Sequence, residues 1–403
     1  MNCLNCKSKK LKNILDLGKS PISNLLLKEK KKTKEYNLAI VFCEKCNLVQ
    51  QKKIVNEKKI FSNDYPYLSS ISKTWKNHCL NSANKLIKKF NLNSNDLVME
   101  IASNDGTYLE FFAAKKIKTL GIEPASAPYR ISISKGIDTH KNYFNYKFSN
   151  KLKKNKPKLI LANNVIAHVP NLNSFLKGVR NIIENNVFIC EFPYLENLIR
   201  KNLIDTIYHE HYFYHSINTM QKILNQNDLE AYDFDKISTH GGSIRLYIKK
   251  RNNLNFRIRS KLIKIQKKEV ISKLNSFENI KKLDQQAKNL KKKLRTFFEK
   301  IKKNKLKLIG YGAAAKSVTM IKFMNIQSEV MPFIIDKSKT KINKYIPNTN
   351  IKIKGFNFLK EYKPDYILVF VWNINKEIVS SIKKVKGIKP KIFTIIPKLK
   401  FNK

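Results

Sequence analysis

The run Tyr208-His209-Glu210-His211 puts a phenol, two imidazoles and a carboxylate at four consecutive positions. The whole chain has only 7 histidines, so this is a concentration of groups able to move protons near neutral pH. An acidic, aromatic stretch, Glu191-Phe192-Pro193-Tyr194, precedes it, and a polar cluster, Thr239-His240-Gly241-Gly242-Ser243, follows. In an extended segment His209 points opposite to Tyr208 and Glu210, so a structural role for it stands beside a catalytic one. Two histidines at i, i+2 can also bind a metal from a strand, but no third cluster of suitable ligands requires that. His168 reads either as a site residue or as a structural residue at a helix start. His78, His140 and His215 read as surface or core residues.

Cysteines make a second pattern. Cys3-Leu4-Asn5-Cys6 and Cys43-Glu44-Lys45-Cys46 are two C-x2-C knuckles, each presenting two thiolates on one side of a tight turn. Together they supply Cys3, Cys6, Cys43 and Cys46 for one tetrahedral zinc; a redox dithiol is the other reading. Four protein ligands leave no open position, so such a zinc holds structure and does not catalyse. The stretch between the knuckles has room for a small hairpin, and Phe42 with Leu48-Val49 can form its core. Cys79 and Cys190 read as ordinary buried cysteines.

The elements that must position these groups are strand–turn–helix units. Asp96 to Ile101 reads as a buried strand running into Ala102-Ser103-Asn104-Asp105-Gly106 and the apolar helix Tyr108–Phe112, an arrangement that lets backbone N–H groups approach a nucleotide. Thr119 to Ile122 reads as the next strand, ending at Glu123, an acid about 20 residues on and suited to a ribose diol. Leu159 to Ala162 ends in Asn163-Asn164, and Val187 to Cys190 ends at Glu191, which places these polar residues at the C-terminal edge of a parallel sheet. Ser243 to Ile248 alternates like a closing strand. Before the first unit, Asp64-Tyr65-Pro66-Tyr67-Leu68-Ser69-Ser70 is a hydroxyl-rich turn, either packing at a joint or a polar lid, followed by helical spacing from Trp75 to Phe90. Arg251 to Asn304 lacks Gly and Pro and reads as one or two connecting helices. Leu306 to Ile309 then leads into Gly310-Tyr311-Gly312-Ala313-Ala314-Ala315-Lys316, a G-x-G-x-x-A turn at a strand end, with Asp336 at the next strand end. Strands at Tyr366–Val371 and Lys391–Ile396 complete a second Rossmann-like unit.

The expected fold is therefore α/β: a Rossmann-like domain over 61–250 between a zinc module at 1–60 and, after helices at 251–304, a second Rossmann-like domain at 305–403. A length of 403 residues and 42% hydrophobic content agree with several cores. The 80 basic against 30 acidic residues give a formal charge of +50. The excess is mostly Lys, spread evenly and accompanied by Asn and Ile, residues of A/T-rich codons, so genome composition accounts for it. Nucleic-acid readers favour Arg for bidentate contacts, and Arg is scarce; no nucleic-acid partner is expected, although the charge suits nucleotide diphosphates. No apolar run reaches the length of a membrane span, and Met1-Asn2-Cys3 lacks a signal-peptide pattern. A cytoplasmic, reducing location without a membrane partner is expected.

The order of these motifs resembles the S-adenosylmethionine-dependent C-methyltransferases of nucleotide-activated deoxysugars. The resemblance runs over nearly the full length. It is carried by the paired C-x2-C, Glu100-Ile101-Ala102-Ser103-Asn104-Asp105-Gly106-Thr107, Gly121-Ile122-Glu123-Pro124, Asn163 to Val169, Asp205-Thr206-Ile207-Tyr208-His209-Glu210-His211, His240-Gly241-Gly242-Ser243 and Gly310 to Lys316. Ala102 departs from the family's usual glycine, which matters if that position needs positive φ or touches the cofactor. The resemblance implies a class I methyltransferase domain whose Ala102 to Gly106 line the methionine part of S-adenosylmethionine. It further implies Glu123 on the ribose and Asn163 and Asn164 beside the cofactor or the reacting carbon. It implies His211 as the base that forms an enolate at C-3 of a 4-keto sugar, with Tyr208 and Glu210 assisting and Tyr67 closing over the sugar. The nucleotide-diphosphate sugar is expected near His240, Gly310, Gly312 and Lys316. Two further readings stand: a methyltransferase acting on RNA or protein, motivated by the charge, and a catalytically silent nucleotide-sugar-binding protein, motivated by Ala102.

Overall fold

The computed structural model of the chain describes residues 1–61 and 67–402. Asp64, Tyr65 and Pro66 of the hydroxyl-rich turn and the side chain of His240 lie outside the described residues. At the N-terminus β1 (Leu11–Pro21) and β2 (Glu35–Cys43) form an antiparallel hairpin between the two knuckles, and β3 (Val49–Gln51) adds to β2. Phe42, Leu48 and Val49 are buried in it, as their positions beside the second knuckle suggest.

The middle sheet begins with β4 (Leu97–Ile101), β5 (Lys118–Ile122), β6 (Thr139–His140), β7 (Leu159–Asn163) and β8 (Val187–Pro193), all parallel. Their apolar runs are nearly continuous because both faces are covered, one core holding Met99, Ile101 and Ile160 and the other Val98, Leu159 and Leu161. From β4 the chain builds β5 and β6 on one side, then crosses to β7 and β8 on the other. A topological switch point therefore lies between β4 and β7, and its C-terminal crevice is where open α/β sheets take ligands. Next, β9 (Phe213–Tyr214) leaves this sheet and pairs with β3, Gln50 opposite Phe213 and Val49 opposite Tyr214. Antiparallel β10 (Leu229–Ile237) and β11 (Ser243–Lys250) complete the order β10-β11-β8-β7-β4-β5-β6. Sequence patterning anticipates β11 but not β10, whose Leu-Glu-Ala-Tyr-Asp-Phe-Asp run carries three acids, Asp233 and Asp235 paired with lysines of neighbouring helices and Glu230 with Lys249 of β11.

Two helices connect the halves. Ser260–Ile271 is anchored by buried Glu269, whose carboxylate accepts the N–H groups of Ile217 and Asn218 and the Tyr194 hydroxyl, each at 2.8 Å. Phe277–Lys303 buries one stripe, Ile280, Leu283, Ala287, Leu290, Leu294, Phe298 and Ile301, at three- and four-residue spacing, with its lysines mostly outside. It packs on the hairpin as well as on the last domain: Lys281 donates to the Ile14 carbonyl at 2.8 Å, and the rings of Phe277 and Phe42 lie 6.2 Å apart. The last sheet comprises β12 (Leu308–Tyr311), β13 (Phe333–Ile335), β14 (Lys352–Lys354), β15 (Tyr366–Val369), β16 (Lys391–Thr394) and β17 (Lys400–Phe401) in the order β14-β13-β12-β15-β16-β17, parallel except for β17. Its switch point falls between β12 and β15. No helix among the described residues is long and apolar enough to cross a membrane.

Candidate active site

Tyr208 to His211 forms a turn, closed by the His211 N–H donating to the Tyr208 carbonyl at 2.9 Å. The turn brings two side chains together. The Tyr208 hydroxyl lies 2.9 Å from His211 Nε2, and the rings are 4.1 Å apart. On the other side of the imidazole, Nδ1 is 2.8 Å from the Thr206 carbonyl. A carbonyl only accepts, so Nδ1 carries a proton; in the neutral ring Nε2 then presents its lone pair and the Tyr208 hydroxyl donates to it. Burial holds Tyr208 well above the usual phenol range, with the Glu210 carboxylate adding to the effect. Glu210 is itself buried and accepts from Asn24 Nδ2 at 2.5 Å. His168 packs edge-on against His211, ring centroids 4.7 Å apart, and burial pushes it down to about 4, so it is neutral at pH 7. His209 turns away: it is fully buried, its Nε2 donates to the Tyr36 carbonyl of β2 at 3.3 Å, and burial lowers it to about 4. Its contacts are those of a residue fastening the turn to the hairpin.

The crevice at the ends of β4 and β5 holds the second group. Ala102 has φ +54°, Asn104 +53° and Gly106 +72°, so the turn after β4 is a succession of left-handed residues. Ala102 thus occupies the conformation in which its methyl group matters, at a cost of roughly 1 kcal/mol relative to glycine. Glu123 receives the Asn104 N–H at 2.9 Å and the Ala125 N–H at 2.7 Å, and its burial raises it to about 7. The Tyr67–Ile71 stretch docks here: Ser69 N–H donates to Asn104 Oδ1 at 2.9 Å, Ser70 N–H to Asp105 Oδ2 at 3.0 Å, and Asn104 Nδ2 to the Tyr67 carbonyl at 3.2 Å. These bonds fasten the stretch over the turn after β4, and Tyr67 remains 45% exposed within it. Ser103 turns its hydroxyl towards Gly121, where a side chain would clash. Asn163 ends β7, and the Asn164 N–H, at φ +56°, donates to the Glu191 carbonyl.

Three buried polar atoms at the crevice lack hydrogen-bond partners among the described residues, Glu100 Oε2, Ser103 Oγ and Asn164 Oδ1. Burial raises Glu100 well above the carboxylate range, and Asp105, Glu123 and Glu191 add like charge. A cationic ligand with hydroxyl and amine donors fits such an acceptor-rich crevice, and S-adenosylmethionine has that donor set. Glu191 lies within β8 and is fully buried, with a role of its own. Burial would raise it, but His78 at 3.0 Å and Arg245, whose Nε is 2.7 Å away, hold it below the usual range. His78 is accordingly a hydrogen-bond partner of that buried carboxylate, while His215 is buried core without a hydrogen-bond partner for its ring among the described residues.

The cysteines meet as their spacing requires. The four Sγ atoms lie within 4.8 Å of one another, Cys3 to Cys46 at 3.6 Å and Cys6 to Cys43 at 3.5 Å. Sulfurs bound tetrahedrally to zinc sit about 3.8 Å apart. Both knuckles have the same local form, Lys7 at φ +60° donating to Cys3 O and Asn47 at +63° donating to Cys43 O. Cys79 and Cys190 are buried singly.

The last domain brings its switch point to the same turn. Trp372 Nε1 donates to Asp205 Oδ2 at 2.7 Å, and Lys316 Nζ approaches that oxygen at 3.5 Å and Asn373 Oδ1 at 3.3 Å. Asp205 immediately precedes Thr206, the carbonyl partner of His211. The two glycines of the turn are explained by packing: a Cβ on Gly312 (φ +93°) would meet Val371, and one on Gly310 would meet Ile334, Phe370 and Met331. Lys316 is the member of this motif that faces the middle domain.

Family models match the chain in three consecutive pieces: "Putative zinc binding domain" over 3–61, "Methyltransferase domain" over 77–233 and "C-methyltransferase C-terminal domain" over 238–397. The chain is an S-adenosylmethionine-dependent methyltransferase of this three-module C-methyltransferase family. Among curated proteins it is similar to the C-methyltransferase NovU of Streptomyces niveus, 23% identical over 378 residues, with 92% of this chain and 90% of that protein covered. Among solved structures it is similar to the magnesium protoporphyrin IX methyltransferase of Synechocystis PCC 6803 with bound SAM, at 13% identity, TM-score 0.35 and 43% of this chain against 79% of that one. It is also similar to the PH0226 protein of Pyrococcus horikoshii, at 11% identity, TM-score 0.37 and 49% against 100%. The methyltransferase thus carries a four-cysteine zinc site and a crevice for S-adenosylmethionine. Sequence reading missed several residues that hold its candidate site, namely Asn24, Gln51, His78 and Trp372. Each acts across a long sequence separation, and no local spacing marks it.

Proposed function

We propose that the methyltransferase transfers a methyl group to carbon C-3 of a nucleotide-activated 4-keto-deoxysugar, by way of an enolate formed at the Tyr208–His211 pair. The observation that carries this is the oriented imidazole: Nδ1 proton on the Thr206 carbonyl, Nε2 lone pair at 2.9 Å from the Tyr208 oxygen. Transfer to oxygen needs little activation, whereas carbon must first lose a proton, and a neutral histidine with a fixed tautomer is the base for that step. The C–H bond next to the ketone breaks, its electron pair moves into the enolate, and the pair of residues gains one proton, held at Nε2. Tyr208, kept protonated by burial, is then free to donate to the enolate oxygen, because the imidazolium N–H no longer needs its hydrogen. S-adenosylmethionine supplies an electrophilic methyl sulfonium when bound. Ala102 to Gly106, Glu123, Asn163 and Asn164 hold that cofactor, and the Tyr67 lid excludes water. Glu210 takes a sugar hydroxyl or tunes the pair, and Lys316, between the two switch points, faces the diphosphate. The likeness to a C-methyltransferase over nearly the whole length supports carbon as the acceptor. Incubating the protein with S-adenosylmethionine and a panel of nucleotide-linked keto-sugars, read by mass spectrometry, tests it. A mass gain of one methyl on a 4-keto-6-deoxyhexose is expected; methylation of RNA or protein alone would overturn it.

A further inference from the structure

The sheet of the zinc module takes in β9, the strand just after the candidate catalytic turn, and one side chain of that sheet reaches both ends of the turn. Gln51, the last residue of β3, is 1% exposed. Its side-chain Nε2 donates to the carbonyls of Tyr208 at 2.7 Å and His211 at 2.9 Å, the two ends of the turn, 157 and 160 positions away. Its backbone N–H donates to the next carbonyl, Tyr212, also at 2.9 Å. All three donors of one residue therefore go to the segment that carries the Tyr208–His211 pair. The neighbouring Gln50 faces the other way: its Oε1 accepts the Leu4 N–H of the first cysteine knuckle at 2.8 Å, and its backbone pairs with Phe213 of β9. Adjacent residues of one short strand thus connect the four-cysteine site to the turn.

We infer that Gln51 is a positioning residue for proton transfer, clamping the ends of the Tyr208–His211 turn so that the phenol and the imidazole keep their hydrogen bond. The inference rests on the reading of that pair as the proton-transfer group. A buried amide whose two hydrogens meet two carbonyls is costly to replace, since burial keeps bulk solvent from taking over either bond. A displacement of about 1 Å in a reacting group costs on the order of 100-fold in rate, so the clamp bears on turnover while lying outside the substrate's reach.

Gln51→Met keeps the length without donors; Gln51→Glu keeps the shape and sets a carboxylate against two carbonyls. Nitrogen-15 histidine NMR of the full-length, zinc-loaded protein reads the His211 tautomer without any substrate. Both variants are expected to retain zinc and S-adenosylmethionine affinity within about twofold, while His211 loses its single Nδ1-protonated form and His215 is unmoved. On a thymidine-diphosphate-linked 4-keto-6-deoxyhexose as probe, kcat is expected to fall roughly 10- to 100-fold with KM little changed. A His211 signal identical to wild type, or a parallel loss of zinc and cofactor binding in both variants, overturns the inference. His211→Ala run alongside separates the two claims: if it keeps C-3 proton exchange, the base reading fails; if it alone loses exchange, only the clamp fails.

Discussion

Ala102 concentrates the residue-scale argument. Its place at the end of a buried strand made it a candidate for the cofactor turn, and its methyl group made it a doubtful one. With φ at +54° it sits where glycine is favoured. Ala102→Gly is therefore expected to leave stability unchanged or raise it by up to about 1 kcal/mol, although glycine ordinarily destabilises; urea unfolding midpoints measure this. Buried histidines supply a pH prediction of definite sign. His209 and His215 are lowered by burial to about 4 and about 3, below their ordinary 6.5, so both fold neutral. Their stability contribution is complete above pH 6.5 and is lost as pH falls towards 4 for His209, on the order of 3 kcal/mol, and towards 3 for His215. Replacing His209 by Asn, which keeps a donor towards Tyr36, is expected to flatten the loss of stability between pH 6.5 and 4; an unchanged slope contradicts the assignment. Glu123, raised to about 7, acts in the opposite sense, losing its contribution as pH rises from 4.5.

At the scale of elements, the strand–turn–helix units were legible because buried parallel strands are continuous apolar runs and their ends carry the polar residues. Both switch points follow from that alternation. The cysteine knuckles were equally legible, since thiol spacing is a local property. What could not be read was β9, two residues long, which pairs with β3 of the zinc module instead of the middle sheet. Nothing in Phe213-Tyr214 distinguishes that choice, and Gln51 has meaning only once it is made. β10 was hidden for another reason: its acids are neutralised by lysines from other elements, a pairing invisible to local periodicity. Cys3→Ser tests the element that these strands build. It is expected to lose bound zinc and to lower the thermal midpoint of the protein, measured by metal analysis and calorimetry; full zinc content in the variant contradicts a four-cysteine site.

On the whole molecule, the Tyr208–His211 turn is held from three directions. The zinc module grips it through Gln51, Asn24 and the Tyr36 carbonyl; the middle domain sets His168, just beyond β7, edge-on against His211; and the last domain presents Trp372 and Lys316 to Asp205. All three modules thus contribute contacts to this segment. It predicts that Trp372→Phe, which removes the hydrogen bond to Asp205 and keeps most of the ring, raises KM for the keto-sugar several-fold while S-adenosylmethionine affinity stays unchanged. Equal weakening of both ligands would contradict it.

Under the proposed function His211 takes a proton from carbon before methyl transfer. Solvent deuterium incorporation at C-3 of a nucleotide-linked 4-keto-6-deoxyhexose, followed by NMR with S-adenosylhomocysteine in place of the methyl donor, isolates that step. The wild-type protein is expected to exchange the C-3 proton, and His211→Ala to exchange none while binding S-adenosylmethionine with near-normal affinity. Persistent exchange in His211→Ala would contradict the account.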